Sequence, residues 1–164
     1  PAASPVPPTA SSATRGRLRC TTGARRCPCR RRSAGGHAWL MTLSEERATQ
    51  LVAQQGFGSP KEYGPKAPTT FRALMKILDE DRRRGYSLMA EQYAPGMSAL
   101  AAPVVRRGGD TVGVITIAGP LQRLTPARMQ ALGPALVAAA SDLALASSSS
   151  PLFNQRARMA TGPR

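Results

Sequence analysis

The sequence predicts an α+β domain, an antiparallel sheet with helices packed on it, and three observations carry that prediction. Ser98 to Val105 (SALAAPVV) and Thr111 to Ala118 (TVGVITIA) are apolar runs of strand length. Arg106-Arg107-Gly108-Gly109-Asp110 joins them, and Gly-Gly in a short polar link is a hairpin signal. Helical patterns lie on both sides of these runs, two before and one after, so the strands are neighbours joined by tight links rather than parallel strands joined by crossovers. The second run places Val112, Val114, Thr116 and Ala118 on one face and Gly113, Ile115 and Ile117 on the other. Both faces are largely apolar, the pattern of a strand covered on both sides.

The elements follow in order. The first expected helix runs from a cap at Thr42 or Ser44 to about Gln55 and buries Ala48, Leu51 and Val52. Gly56 and Phe57 offer a Schellman-type stop. Gly58 to Pro68 is turn-rich. A second helix spans about Thr70 to Arg84, with an apolar stripe of Phe71, Leu74, Met75 and Leu78, and Gly85 ends it. Arg82, Arg83 and Arg84 suit the negative end of its dipole, and Asp79-Glu80-Asp81 and Glu45-Glu46 are expected in solvent. Gly85 to Met89 reads as a short first strand. After the hairpin, Thr125 caps a long helix with Pro126 at its first position and Leu124 stapled to Met129. The stripe expected on that helix is Leu132, Leu136, Ala139, Ala140 and Leu143, and Ser147 to Ser150 ends it.

The chain has 164 residues and a formal net charge of +14, enough to suggest a nucleic-acid partner until the charge is located. Eight of the 23 Lys and Arg lie in residues 1–36 and three in residues 147–164, with no acid in either segment. The remaining twelve face nine acids, so the folded part is nearly balanced. Residues 1–36 are rich in Pro, Ser, Ala and Arg and are expected to be disordered, because they cannot bury enough apolar surface to offset ordering entropy. Residues 147–164 read as a second disordered tail, leaving residues 37–146 as the domain.

Catalysis finds no support. Gly-rich phosphate loops, nucleophile elbows and ligand clusters are missing from the sequence, and His37 is the single histidine. Cys20, Cys27 and Cys29 all fall in the basic segment, and Cys27-Pro28-Cys29 is too close for the usual zinc pair, so neither metal nor cofactor is expected. The runs of apolar residues read as too short for a membrane span, and the N-terminus carries no signal-peptide core, so the expected location is cytoplasmic.

Gly85-Tyr86, Glu91, Gly96, Ala101-Ala102-Pro103-Val104, Gly119-Pro120 and Arg123-Leu124-Thr125 occur here in the order and spacing of the IclR family of bacterial transcription regulators. From roughly Gly36 to Ala146 the chain resembles the later part of that family's effector-binding domain. The resemblance implies a partial GAF-like or PAS-like curved sheet with a small-molecule pocket in its concavity, and a homo-oligomer. It implies DNA binding only through a winged helix-turn-helix that this sequence does not contain. By position it places the pocket at Met89, Ala99, Thr116 and Ala118, with Glu91 as the recurrent acid and a loop at Gly36 closing one side. Family members that sense small carboxylates carry an acid, a thiol and two serines at the first four places. Met, Ala, Thr and Ala here imply an apolar or aromatic effector instead.

Two other readings stand beside effector sensing. One is a non-functional fragment of a frame-disrupted regulator. Cys27 to Arg32, encoded as TGC-CCC-TGT-CGG-CGA-CGG and read two bases later, would give Pro-Leu-Ser-Ala-Thr, which resembles the family's run at that place. This reading is preferred to a functional basic arm. The other is a small ligand-binding module that acts alone.

Overall fold

The computed structural model describes residues 33–55 and 64–149. In order these form α1 (Ala34–Leu40), α2 (Glu45–Gln55), α3 (Phe71–Arg84), β1 (Ser87–Ala90), β2 (Met97–Val105), β3 (Thr111–Pro120) and α4 (Pro126–Ser149). The three strands form an antiparallel sheet in the order β1-β2-β3. The α+β expectation holds. The calls on residues 1–32, on the Gly56–Phe57 stop and on residues 150–164 lie outside the described residues.

Local chemistry sets most of the boundaries. Thr70 caps α3 by accepting from the Ala73 N–H at 3.2 Å, and Gly85 closes it at φ 80°, a conformation that costs a glycine little. Ser44 accepts from the Arg47 N–H at 3.3 Å at the start of α2. Thr125 does the same for Arg128 on α4, while Leu124 and Met129 are both buried together. The hairpin link closes through Arg106 N–H to the Asp110 carbonyl at 2.9 Å, with Gly109 at φ 86°.

The sheet separates two unlike cores. On one face α4 covers Leu100, Ala102 and Val104 of β2, and Tyr86 and Leu124 are buried in the same cluster. On the other, α1 lies across β2 and β3 over small residues, Ala99 and Ala101 among them. Behind α1, the residues Leu40 and Met41 join Ala48, Val52, Leu74, Met75 and Leu78 in a helical cluster. Arg82 ties that cluster to the link after α1 by donating to the carbonyls of Met41 (3.2 Å) and Leu43 (3.3 Å).

Six expectations are corrected. β3, read as covered on both sides, has Val114, Thr116, Ile117 and Ala118 exposed among the described residues. α1 is an additional helix, and Gly36 sits inside it rather than in a loop. Ser33 starts it by accepting from the Gly36 N–H at 3.0 Å, so ordered structure includes residues 33–36. Asp81 is fully buried rather than solvated, because it continues the Leu74–Leu78 stripe at seven residues' spacing from Leu74. The buried stripe of α4 is Met129, Gly133, Leu136, Ala140, Ala144 and Ser147, whereas Leu143 and Ala139 are exposed. The helix is turned this way by Tyr86, whose ring lies where a Cβ on Gly133 would be.

The helical end expected at Ser147 also moves. α4 continues to Ser149, and Ser147 is buried with its hydroxyl and carbonyl accepting from Arg106 at 3.0 and 2.8 Å. Finally, α4 is long and apolar enough to cross a membrane by length and composition, against the expectation that no such run exists. Its Ala-rich sequence carries only Arg128 and Asp142 as charges, and in the fold its buried stripe packs on the sheet.

Candidate effector site

Side chains alternate across a strand, so register decides which residues share the α1-facing side. Met89 pairs with Ala99, and Ala99 with Ala118, making one rung across all three strands. The adjacent rung is Ser87, Ala101 and Thr116. The four positions implied by the resemblance, Met89, Ala99, Thr116 and Ala118, thus share one face on two neighbouring rungs. Met89 is buried, Ala99 half-buried, and Thr116 and Ala118 are exposed, so the patch opens toward β3.

Helix α1 forms the roof, and it does so with its smallest residues. Ala34 and Ala38 pack with Met89 and Ala101, with Ala99 against them. At Gly35 a Cβ would come within 3.3 Å of both Thr116 Oγ1 and Val114 Cγ2. Ser87, fully buried, donates its hydroxyl to the Ala34 carbonyl at 2.7 Å. Thr111 donates to the Thr42 hydroxyl at 2.9 Å, pinning the far end of β3 to the link after α1. Gly36 is buried within α1, and it is Gly35 that comes closest to Thr116.

Glu91 stands apart from this group. It follows β1 at φ 54°, and its N–H donates to the Met97 carbonyl at 2.8 Å. One carboxylate oxygen accepts from the Gly96 N–H at 3.3 Å, and the other lies 3.1 Å from Lys66 Nζ. The Lys66 hydrogen bond, with that from Gly96, holds its carboxyl below the usual carboxylate range. Its carbonyl accepts from the Lys66 N–H at 3.2 Å, and Gly64 lies so close to that carbonyl that no side chain would fit there. The carboxylate therefore braces two turns.

Sequence reasoning missed the roof and what anchors it. Ser87 was findable, since it lies two residues before Met89 on the same face. His37 is fully buried on α1, with Nδ1 3.6 Å from Asp81 Oδ2 on α3. Arg84 completes the contact from the side by donating to Asp81 Oδ1. Its guanidinium also lies 5.8 Å from the centre of the Tyr86 ring. Among the described residues, no group of three His, Cys, Asp or Glu is placed to hold a metal ion.

Residues 12–145 match the family described as "Bacterial transcriptional regulator IclR C-terminal". The chain belongs to that family. It is 32% identical over 114 residues to the transcriptional repressor IclR of Escherichia coli K12, covering 70% of this chain and 40% of that protein. It is 29% identical over 137 residues to the repressor AllR of the same organism, covering 80% of this chain and 49% of that one. The chain thus spans less than half the length of these relatives. The fold is similar to the C-terminal domain of E. coli KdgR, with a TM-score of 0.63 at 23% identity over 71% of this chain and 69% of that one. It is similar too to a double mutant of the PobR inducer-binding domain from Acinetobacter, whose structure is a complex with 3-hydroxybenzoic acid. There the TM-score is 0.62 at 24% identity, over 70% of this chain and 65% of that one. The family is one of transcription regulators and not of enzymes, and the described part of this chain is an IclR-type effector-binding domain with its GAF-like sheet.

Proposed function

We propose that the α1-facing side of the sheet binds a small, mainly apolar or aromatic effector, with residues 33–149 as the sensing unit of a homo-oligomeric cytoplasmic regulator. The observation that carries this is the composition of the two rungs under α1. Met89, Ala99 and Ala118 offer apolar contact, and Thr116 offers an accessible hydroxyl beside them. Such a patch favours ligands whose affinity comes from buried area with one polar anchor. A small keto acid brings little area, and with Glu91 held by Lys66 and Gly96 the patch has few groups to replace its hydration. The 3-hydroxybenzoic acid bound by the PobR domain belongs to the favoured class.

The test is isothermal titration of the full chain, and of Ala99→Trp, with an aromatic-acid panel that includes 3-hydroxybenzoate, set against glyoxylate and pyruvate. Aromatic acids should bind more tightly than the keto acids, and Ala99→Trp should abolish that binding by filling the rung. Equal or tighter binding of the keto acids would reject the apolar reading, and unchanged binding to Ala99→Trp would move the site elsewhere.

A further inference from the structure

The sheet face beneath α1 carries one buried polar side chain that the resemblance does not point to. Ser87 of β1 is fully buried and shares a rung with Ala101 and Thr116. The adjacent rung, Met89, Ala99 and Ala118, has no polar side chain. Two hydroxyls therefore stand at the two ends of one rung, with the methyl group of Ala101 between them.

A buried hydroxyl needs a partner, and the roof supplies it. Ser87 donates to the Ala34 carbonyl at 2.7 Å, and the Ala101 carbonyl lies farther off at 3.4 Å. Ala34 is the first residue of α1, so its carbonyl has the N–H four residues on as its regular helical partner. Lifting of α1 then frees the Ser87 hydroxyl without orphaning the carbonyl that held it. Once free, that hydroxyl can both donate and accept.

We infer that Ser87 is a second polar anchor of the effector face and selects for ligands with a polar group at each end of a ring. The inference rests on the proposed effector face and adds a residue to it. With α1 down, Ser87 is held by the roof; with α1 lifted, it is held by the ligand. Neighbouring strands lie about 4.7–4.9 Å apart, so the Cα atoms of Ser87 and Thr116, two strands apart, are separated by about 9–10 Å. A hydrogen bond of about 2.8 Å at each end leaves about 4–7 Å between the ligand's own polar atoms. Two substituents set meta or para on one benzene ring have that separation, and the ring then lies over Ala101. An ortho pair is too close and bonds to itself. The class selected is an aromatic acid with a second polar group across the ring from the carboxylate.

The test is isothermal titration of the full chain with 3-hydroxybenzoate, 2-hydroxybenzoate and benzoate. The two isomers have the same atoms and nearly the same area to bury, so their difference reports the second anchor. The unsubstituted chain should bind 3-hydroxybenzoate roughly tenfold more tightly than the other two, about the worth of one hydrogen bond. Ser87→Ala should bring the three affinities together, and Thr116→Val should do the same from the other end of the rung, each with an unchanged far-ultraviolet spectrum. A Ser87 that served the roof alone would shift all three ligands by one factor in Ser87→Ala and leave their order intact, which would overturn the inference. So would equal binding of the two isomers by the unsubstituted chain. In both of those outcomes aromatic acids still bind, and the effector face stands without its second anchor. Binding of none of the three would reject the effector face, and this inference with it.

Discussion

β2 is the middle strand of the sheet, and its two faces are built from residues of different size. Toward α4 it presents Leu100, Ala102 and Val104, which join Tyr86, Leu124, Met129 and Leu136 in the largest buried cluster among the described residues. Toward α1 it presents Ala99 and Ala101, met by Ala34, Ala38 and Met89. One strand therefore spends its bulky residues on one side and its small ones on the other. Burial of a large aliphatic side chain is worth about 1.5–3 kcal/mol, and an alanine contributes far less. The α4 face supplies cohesion. The α1 face supplies proximity and is held by polar ties instead, Ser87 to Ala34, Thr111 to Thr42, and His37 beside Asp81.

Truncating the bulky face should have the largest effect. Leu100→Ala removes a fully buried side chain and is expected to cost about 2–5 kcal/mol, read as a lower denaturation midpoint with the whole domain unfolding together. A loss below about 0.5 kcal/mol, the size typical of a surface substitution, would show that the α4 face is not the cohesive one.

Overfilling the small face should be milder and local. Ala101→Leu inserts volume beneath Ala34 and Ala38, at about 1–3 kcal/mol, and hydrogen exchange should quicken in α1 while α4 stays protected. Equal acceleration in both helices would make the two faces one cooperative unit.

The smallest effect belongs to the turn that borders both. Glu91 has its folded-state pKa lowered by Lys66 and Gly96, so its contribution is present above the unfolded pKa and is lost as pH falls through the folded value. Glu91→Gln should flatten that acid-side loss of stability and leave neutral-pH stability nearly unchanged, since Lys66 is largely exposed. An acid limb that is as steep in Glu91→Gln as in the parent chain would show that the carboxylate does not carry it.

Much of the fold was legible because its signals are local. The caps at Ser44, Thr70 and Thr125, the αL glycine at Gly85 and the hairpin at Arg106 to Asp110 each act within a few residues. α1 was not legible, for AGGHAWL has two glycines, poor intrinsic propensity and no stripe, and it forms because the sheet gives it a surface. The α4 stripe was misplaced because an alanine-rich helix offers several apolar faces, and the choice among them is made by the Tyr86 ring against Gly133. The placement of the proposed site residues was half legible. Met89, Ala99, Thr116 and Ala118 share a face by strand register, but the carboxylate of Glu91 is committed to a turn, and Gly36 belongs to the roof helix.

The tie between Ser87 and Ala34 spans 53 residues of chain, and that between Thr111 and Thr42 spans 69. The β1-β2-β3 meander, by contrast, closes through neighbours in sequence, and α4 follows directly. Contacts that close short loops form early, and those that close long ones wait until the chain is already constrained. The β1-β2-β3 meander is then expected to assemble before α1 and α4 dock on its two faces. Packed on small side chains, α1 is expected to be the segment that opens first in native fluctuations, and its Gly35 lies against Thr116. Under the proposed effector reading a ligand would meet the exposed Thr116 and Ala118 first, and lifting of α1 would add the buried Met89 and Ala101 to its contact.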